Sequence, residues 1–229
     1  MTFMFILLAG SSTRLGSPIL KQFIKINKKE IFEYSLDTFD RLIEIDKIFL
    51  VAQKENFEHI SSIISKKTYK HQIEIIEGGE TRQESVFKAM THVKEYADSS
   101  TIVAFHDACR PLITESTTLK IIKEAKNYDG AAPFVPVFDS ICTKNDQNLI
   151  DTSINREKFV KLQTPQAFKF DIIYNAHENE MKNKNLAFTD DTSLLTKKGY
   201  NIKLVESSIL NFKITNFDDL FILRKLLED

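Results

Sequence analysis

Residues 3–10 read FMFILLAG, and this short run decides the fold. Seven apolar or small residues without a polar interruption describe a strand covered on both faces, because a strand with one wet face alternates instead. Gly10 ends it, and the chain turns abruptly polar with SSTRLG at 11–16 and a lysine at 21. Turns at the carboxyl ends of parallel strands are where open α/β sheets bind ligands. Arg14 and Lys21 placed there suit an anion, phosphate first among them. The same loop also reads as a surface turn with two solvated cations.

Further strand-like runs are KIFLVA (47–52), IEII (73–76), TIVAF (101–105), AAPFVPV (131–137) and IKLVE (202–206). Helical patterns lie between them at 31–43, 55–65, 81–96 and 116–128. In the first, Ile31, Phe32, Leu36 and Phe39 recur at helical spacing with charges between. Strand and helix in repeated alternation predict an α/β fold, a mostly parallel twisted sheet with right-handed crossovers and helices on both faces. The length of 229 residues suits one domain over 1–229.

One segment breaks the rhythm. Residues 139–159 read DSICTKNDQNLIDTSINREKF, a turn cluster between two β-prone pieces, which predicts a hairpin arm at about 138–160. A hairpin has no crossover role in a parallel fold. It serves as a lid, as an arm gripping a second subunit, or as an idle excursion. Beyond it, FKFDIIYNAHENEM and DDTSLLTKKG look helical, and Thr215 or Asn216 is placed to cap a last amphipathic helix.

The formal net charge of −1 provides no basic field for nucleic acid or an anionic membrane. The N-terminal apolar run is too short to span a membrane and lacks a basic leader, so a cytoplasmic location is expected. Cys109 and Cys142 make neither a disulfide framework nor a zinc pattern.

The sequence contains no G-x-x-x-x-G-K-[ST] and no G-x-G-x-x-G, which disfavours a P-loop NTPase and a dinucleotide oxidoreductase. Dense polar stretches at the expected strand ends remain. In GGETRQES (78–85), paired glycines allow close backbone approach and a helix start offers free N–H groups, so Glu80 and Ser85 can reach a ribose or base; a plain tight turn with a cap fits equally. In HDACRP (106–111), Asp107 is a natural Mg²⁺ ligand, since magnesium binds few carboxylates plus substrate phosphates. Arg110 suits an anionic or hydroxylated substrate, and His106 is read as structural. TPQAF (164–168), TDDTS (189–193) and NFKIT (211–215) add hydroxyls, carboxylates and one lysine, though TDDTS also reads as a helix cap.

Taken in order over nearly the whole chain, LLAGSSTRLG…LKQF, GGETRQES, HDACRP, the arm ending NREKF, TPQAF, TDDTS and NFKITNFDDL resemble the 2-C-methyl-D-erythritol 4-phosphate cytidylyltransferase family of the non-mevalonate isoprenoid pathway. The resemblance implies a Rossmann-like nucleotidyltransferase fold, CTP as co-substrate, Mg²⁺ as cofactor and a homodimer formed through the β-arm. It implies that Arg14 and Lys21 stabilise the transition state, and that Arg156 and Lys213 position the sugar phosphate. Ala9, Gly10, Ser11, Ser12, Gly79, Glu80 and Ser85 would then bind the nucleotide, and Asp107 would hold the metal. Asp107, Ala108, Arg110, Ser140, Thr164 and Thr189 would bind the second substrate.

This chain departs from the usual family pattern in places: Ser12 stands where a second glycine is usual, Leu20 precedes Lys21, and Cys109 replaces a small residue. The sister pentitol-phosphate cytidylyltransferases, which make CDP-ribitol, share nearly all these motifs. HDACRPL and TDDTS in this chain are less like their versions. The expected reaction is in-line attack of the substrate phosphate on the α-phosphorus of CTP, releasing pyrophosphate. A phosphate monoester is already a competent nucleophile, so cations, backbone N–H groups and one metal carboxylate suffice.

Overall fold

The N-terminal apolar run forms β1 (Thr2–Leu7), and its successive side chains part to the two sides of a sheet. Phe3 and Phe5 enter one core, whereas Met4 and Ile6 enter the other. That division is why the run has no polar position to spare. The computed structural model describes residues 1–10, 19–183, 188 and 190–228.

After β1 come a small hairpin of β2 (Lys25–Ile26) and β3 (Lys29–Glu30), then α1 (Ile31–Asp40), β4 (Lys47–Ala52), α2 (Phe57–Ile64) and β5 (Ile73–Glu77). The alternation continues with α3 (Arg82–Val93), β6 (Ile102–Asp107), α4 (Glu115–Asn127) and β7 (Gly130–Pro136). A separate antiparallel hairpin of β8 (Ile141–Lys144) and β9 (Ile150–Ile154) follows. The chain then runs through β10 (Val160–Leu162), β11 (Gln166–Lys169), α5 (Phe170–Lys182), α6 (Asp191–Lys197), β12 (Ile202–Glu206) and α7 (Phe217–Leu226).

The main sheet has the order β10-β7-β11-β6-β1-β4-β5, with β12 also on β7. β1 pairs in parallel with β4 and β6, and β5 extends the parallel set. On one face Phe5 stacks between Phe49 and Phe105, its register partners, at centroid distances of 4.8 and 5.2 Å. Cross-strand aromatic neighbours of this kind pin the register. α3, α5 and α6 cover that face, and α1, α2 and α4 cover the other.

β10 and β11 correct the sequence expectation. The sequence reads as helical from Phe168, but residues 166–169 pair antiparallel with β6 and β7, and the helix begins at Phe170. Four residues are too few to display their own alternation. Buried Phe168 and Phe170 make the strand read as the first turn of the helix behind it.

A third cluster holds α7: Ile214, Leu220 and Leu223 pack with Ile26, Ile31 and Cys109. Asn216 caps α7 through Asp219 N at 2.9 Å, as its position suggested. Among the described residues, no helix is long and apolar enough to cross a membrane.

Candidate active site

The parallel register sets Leu7 of β1 beside Asp107 of β6, so both strands end at one edge of the sheet. A cavity of about 230 Å³ opens there. Leu7, Ala9 and Gly10 form one wall, and Glu80, Thr81, Arg82 and Ser85 from the start of α3 form another. Asp107, Ala108 and Cys109 continue β6 into it, while Lys21, Gln22 and Lys213 reach it from more distant segments.

Asp107 is the electrostatic centre. Lys213 Nζ donates to its Oδ2 at 2.9 Å, Arg110 Nε lies 3.6 Å from the same oxygen, and Arg82 Nε lies 3.5 Å from Oδ1. Burial alone would raise this carboxyl, but Lys213, then Arg82 and Arg110, hold it well below the usual carboxylate range. It is therefore an anion at any ordinary pH. Among the described residues no cluster of three or more acidic, histidine or cysteine side chains forms a metal cage. One ionised carboxylate on a cavity wall that also carries Lys21 and Lys213 fits magnesium, which takes few protein ligands and draws the rest from phosphates and water.

The carboxylate is aimed by a hydrogen-bond chain behind it. Asp107 N–H donates to Thr164 Oγ1 at 3.0 Å, and Thr164 Oγ1 lies 3.2 Å from His106 Nδ1. His106 Nε2 lies 3.0 Å from the Arg110 carbonyl, which can only accept, so Nε2 carries the hydrogen and Nδ1 accepts from the threonine. Burial pushes the His106 imidazole down to about 4, so it stays neutral. The histidine is structural, and it offers no base to the cavity.

Lys213 owes its place to its neighbours. Ile214 is fully buried, and its N–H donates to the Cys109 carbonyl at 2.9 Å. Asn211 Nδ2 donates to Gln163 Oε1 and to the Thr164 carbonyl, both at 3.0 Å, while Arg110 Nη1 donates to the Asn211 carbonyl at 2.9 Å. Lys21 Nζ donates to the Ile214 carbonyl at 3.3 Å, which ties the short turn Lys21–Phe23 to the same segment. Gln22 Nε2 donates to the Leu8 and Gly10 carbonyls at 2.6 and 3.2 Å, fixing the path out of β1. Burial pushes the Cys109 thiol up to about 11, so it stays protonated.

The glycine turn differs in its reason from the sequence expectation. A Cβ on Gly79 would lie 2.3 Å from Glu84 Cβ, and one on Gly78 would lie 2.7 Å from Ala9 Cβ. The protein's own helix and first loop fill that space, so close approach here is of chain to chain. Thr81 caps α3 by accepting from Glu84 N at 3.1 Å, and Glu84 returns the bond to Thr81 N at 2.9 Å. Ser85 Oγ accepts from Gly79 N at 3.0 Å and donates to the Thr81 carbonyl at 2.9 Å, which holds the turn closed. TDDTS is a cap as well as a motif: Asp190 accepts from Ser193 N at 2.9 Å.

Of the residues singled out in the sequence, the cavity gathers Ala9, Gly10, Lys21, Glu80, Ser85, Asp107, Ala108 and Lys213. Gly79, Arg110 and Thr164 stand behind its wall as supports. Ser140 and Arg156 lie on the exposed arm, where Arg156 Nη1 donates to the Phe138 carbonyl. Ser11, Ser12, Arg14 and Thr189 lie outside the described residues. Sequence reading missed Arg82, which touches Asp107, and the clamps Gln22 and Asn211.

The family model described as IspD, 2-C-methyl-D-erythritol 4-phosphate cytidylyltransferase, matches residues 2–229. The chain is 37% identical over 215 residues to the protein of that name from Clostridium tetani, covering 94% of this chain and 85% of that one. It is 37% identical over 222 residues to the Clostridium novyi protein, covering 96% and 94%. The fold is similar to the crystal structure of 4-diphosphocytidyl-2C-methyl-D-erythritol synthase from Anaerococcus prevotii, with a TM-score of 0.83 at 27% identity, over 100% and 98% of the two chains.

Proposed function

The chain belongs to the 2-C-methyl-D-erythritol 4-phosphate cytidylyltransferase family, and from that premise we propose how its own residues carry the reaction. The reaction transfers CMP from CTP to 2-C-methyl-D-erythritol 4-phosphate, giving 4-diphosphocytidyl-2-C-methyl-D-erythritol and pyrophosphate in isoprenoid biosynthesis. The ribitol phosphate alternative is not favoured.

The observation that carries the reading is the Asp107–Lys213 pair on the cavity wall, where His106 is held neutral behind the wall and the Cys109 thiol stays protonated. In-line transfer between phosphates needs charge placed around the α-phosphorus, and this wall supplies it. The turn at 78–85 takes the cytidine, with Glu80 and Ser85 at the pyrimidine and ribose and Gly79 letting the turn close behind them. Ala9, Gly10, Ser11 and Ser12 wrap the triphosphate, and Arg14 and Lys21 stabilise the charge that develops at the α-phosphate. Asp107 would hold Mg²⁺, which supplies charge neutralisation on the phosphates when bound. Lys213 aims the sugar phosphate, with Ala108, Arg110, Thr164 and Thr189 shaping the pocket around the polyol.

The β-arm completes the site in a homodimer. Phe138, Leu149, Ile150 and Phe159 are exposed on or beside it, an apolar set that suits the core of an interface. An arm that crosses to a second copy brings Ser140 and Arg156 to the partner's cavity. With Cys109 and Cys142 both free thiols, a reducing cytoplasm is the compartment that fits.

The test is pyrophosphate release with CTP, Mg²⁺ and each polyol phosphate in turn, alongside binding of CTP, UTP, ATP and GTP. Turnover is expected with the methylerythritol phosphate and CTP. Faster turnover of ribitol phosphate, or tighter binding of a purine nucleotide, overturns the reading.

A further inference from the structure

Arg82 stands between two carboxylates. Its Nη1 donates to Asp191 Oδ2 at 2.8 Å, while its Nε lies 3.5 Å from Asp107 Oδ1. Its Nη2 is buried and makes no hydrogen bond to a described residue. Asp191, the first residue of α6, is 1% exposed, and its other oxygen lies 3.0 Å from Nε2 of equally buried His177 on α5. An aspartate accepts only, so His177 donates, and Asp191 is fixed from both sides.

The two distances are unequal in a way that matters. Charge-assisted N–H···O bonds run at about 2.7–2.9 Å, so the Asp191 contact is a full bond and the Asp107 contact is not. We propose that Asp191, seated by His177, is a positioning residue that holds Arg82 back from the Asp107 oxygen which receives the metal. This rests on the reading above in which Asp107 holds Mg²⁺. Oδ2 of Asp107 already belongs to Lys213, so Oδ1 is the oxygen left for a cation. Neutralising Asp191 removes one of the two carboxylates that pair with Arg82 among the described residues and leaves Asp107 as the other. The guanidinium then settles on Oδ1, and an incoming metal must displace it.

The sign of the effect makes the idea testable. Mn²⁺ with CTP is titrated into the protein, and the ternary complex is read from the enhancement of water-proton relaxation. The Mg²⁺ midpoint for pyrophosphate release and the thermal midpoint are measured on the same samples. Asp191→Asn is expected to raise both metal midpoints about tenfold, the size seen when outer partners of a metal ligand are altered. Adding Arg82→Met should abolish that rise, because the competing cation is gone. A metal midpoint that stays put, or a rise that persists in the double variant, overturns the proposal. Should Asp191→Asn not fold, Arg82→Met alone must lower the midpoint, and an unchanged or higher value overturns it. Asp107→Asn separates the two readings. If metal binding survives that change, the metal assignment fails and the positioning role with it. If it is lost there yet indifferent to Asp191→Asn, only the positioning role fails.

Discussion

Lys213 Nζ and Asp107 Oδ2 meet at 2.9 Å from positions 106 residues apart, and each is held by separate anchors. The lysine is the more exposed partner, at 37% against 12% for the aspartate side chain. An entering phosphate therefore finds an ammonium with donors to spare, already aimed by the aspartate. Lys213→Met should lower kcat by roughly 10²–10³, the size of a single lost charge-stabilising donor. It should also raise KM for the sugar phosphate and leave CTP affinity nearly unchanged. Steady-state kinetics with each substrate varied in turn checks this, and a loss confined to CTP contradicts it.

Gly79→Ala forces a Cβ to 2.3 Å from Glu84 Cβ. The helix start must shift, at about 1–3 kcal/mol, the usual cost of overpacking. Because Ser85 bonds both ends of that turn, CTP affinity should fall with stability while KM for the sugar phosphate holds. Urea unfolding and nucleotide titration measure the two effects.

His106 makes stability depend on pH. Its folded value of about 4 lies below the ordinary 6.5, so the unfolded chain binds more protons between these limits. Stability is thus full above about 6.5 and is lost as pH falls toward 4, by roughly 3 kcal/mol over the whole window. His106→Asn should flatten that slope. Urea midpoints at pH 7 and pH 5, without divalent cation, decide it.

Arg156→Ala should damage use of the sugar phosphate and spare CTP binding. Mixed with Lys21→Ala, it gives a dimer in which one site carries both lesions and the other carries neither, if the arm crosses between subunits. About half of the activity per mixed dimer should then return, by two-fold symmetry. Demonstrated subunit exchange without recovery means that the arm serves its own subunit.

What could be read from the sequence was local. The uninterrupted run before Gly10, the helix pattern at Ile31, Phe32, Leu36 and Phe39, and the caps at Asp190 and Asn216 each signal within a few residues. Asp107 is legible from its place after the TIVAF strand, whereas its pairing with Lys213 is not, because no spacing rule links residues so far apart. Arg82 lay unrecognised inside GGETRQES. A cation at the first position of a helix opposes the helix dipole, and that misfit was the available sign of carboxylates waiting elsewhere. Gln22 and Asn211 bear amides that bond backbone carbonyls, a role that no residue pattern announces.

β11 carries a consequence for the order in which the molecule is made. It is the neighbour that closes β6 on the side away from β1, yet it is synthesised some 60 residues later. A nascent chain that has released β1, β4, β5 and β6 exposes the bare hydrogen-bonding edge of β6, a strand buried along its whole length in the finished fold. Open edges of this kind pair with whatever strand they meet. Prematurely terminated chains should therefore be sticky rather than partly active, since Thr164 and Lys213, which aim and balance Asp107, are made well after β6.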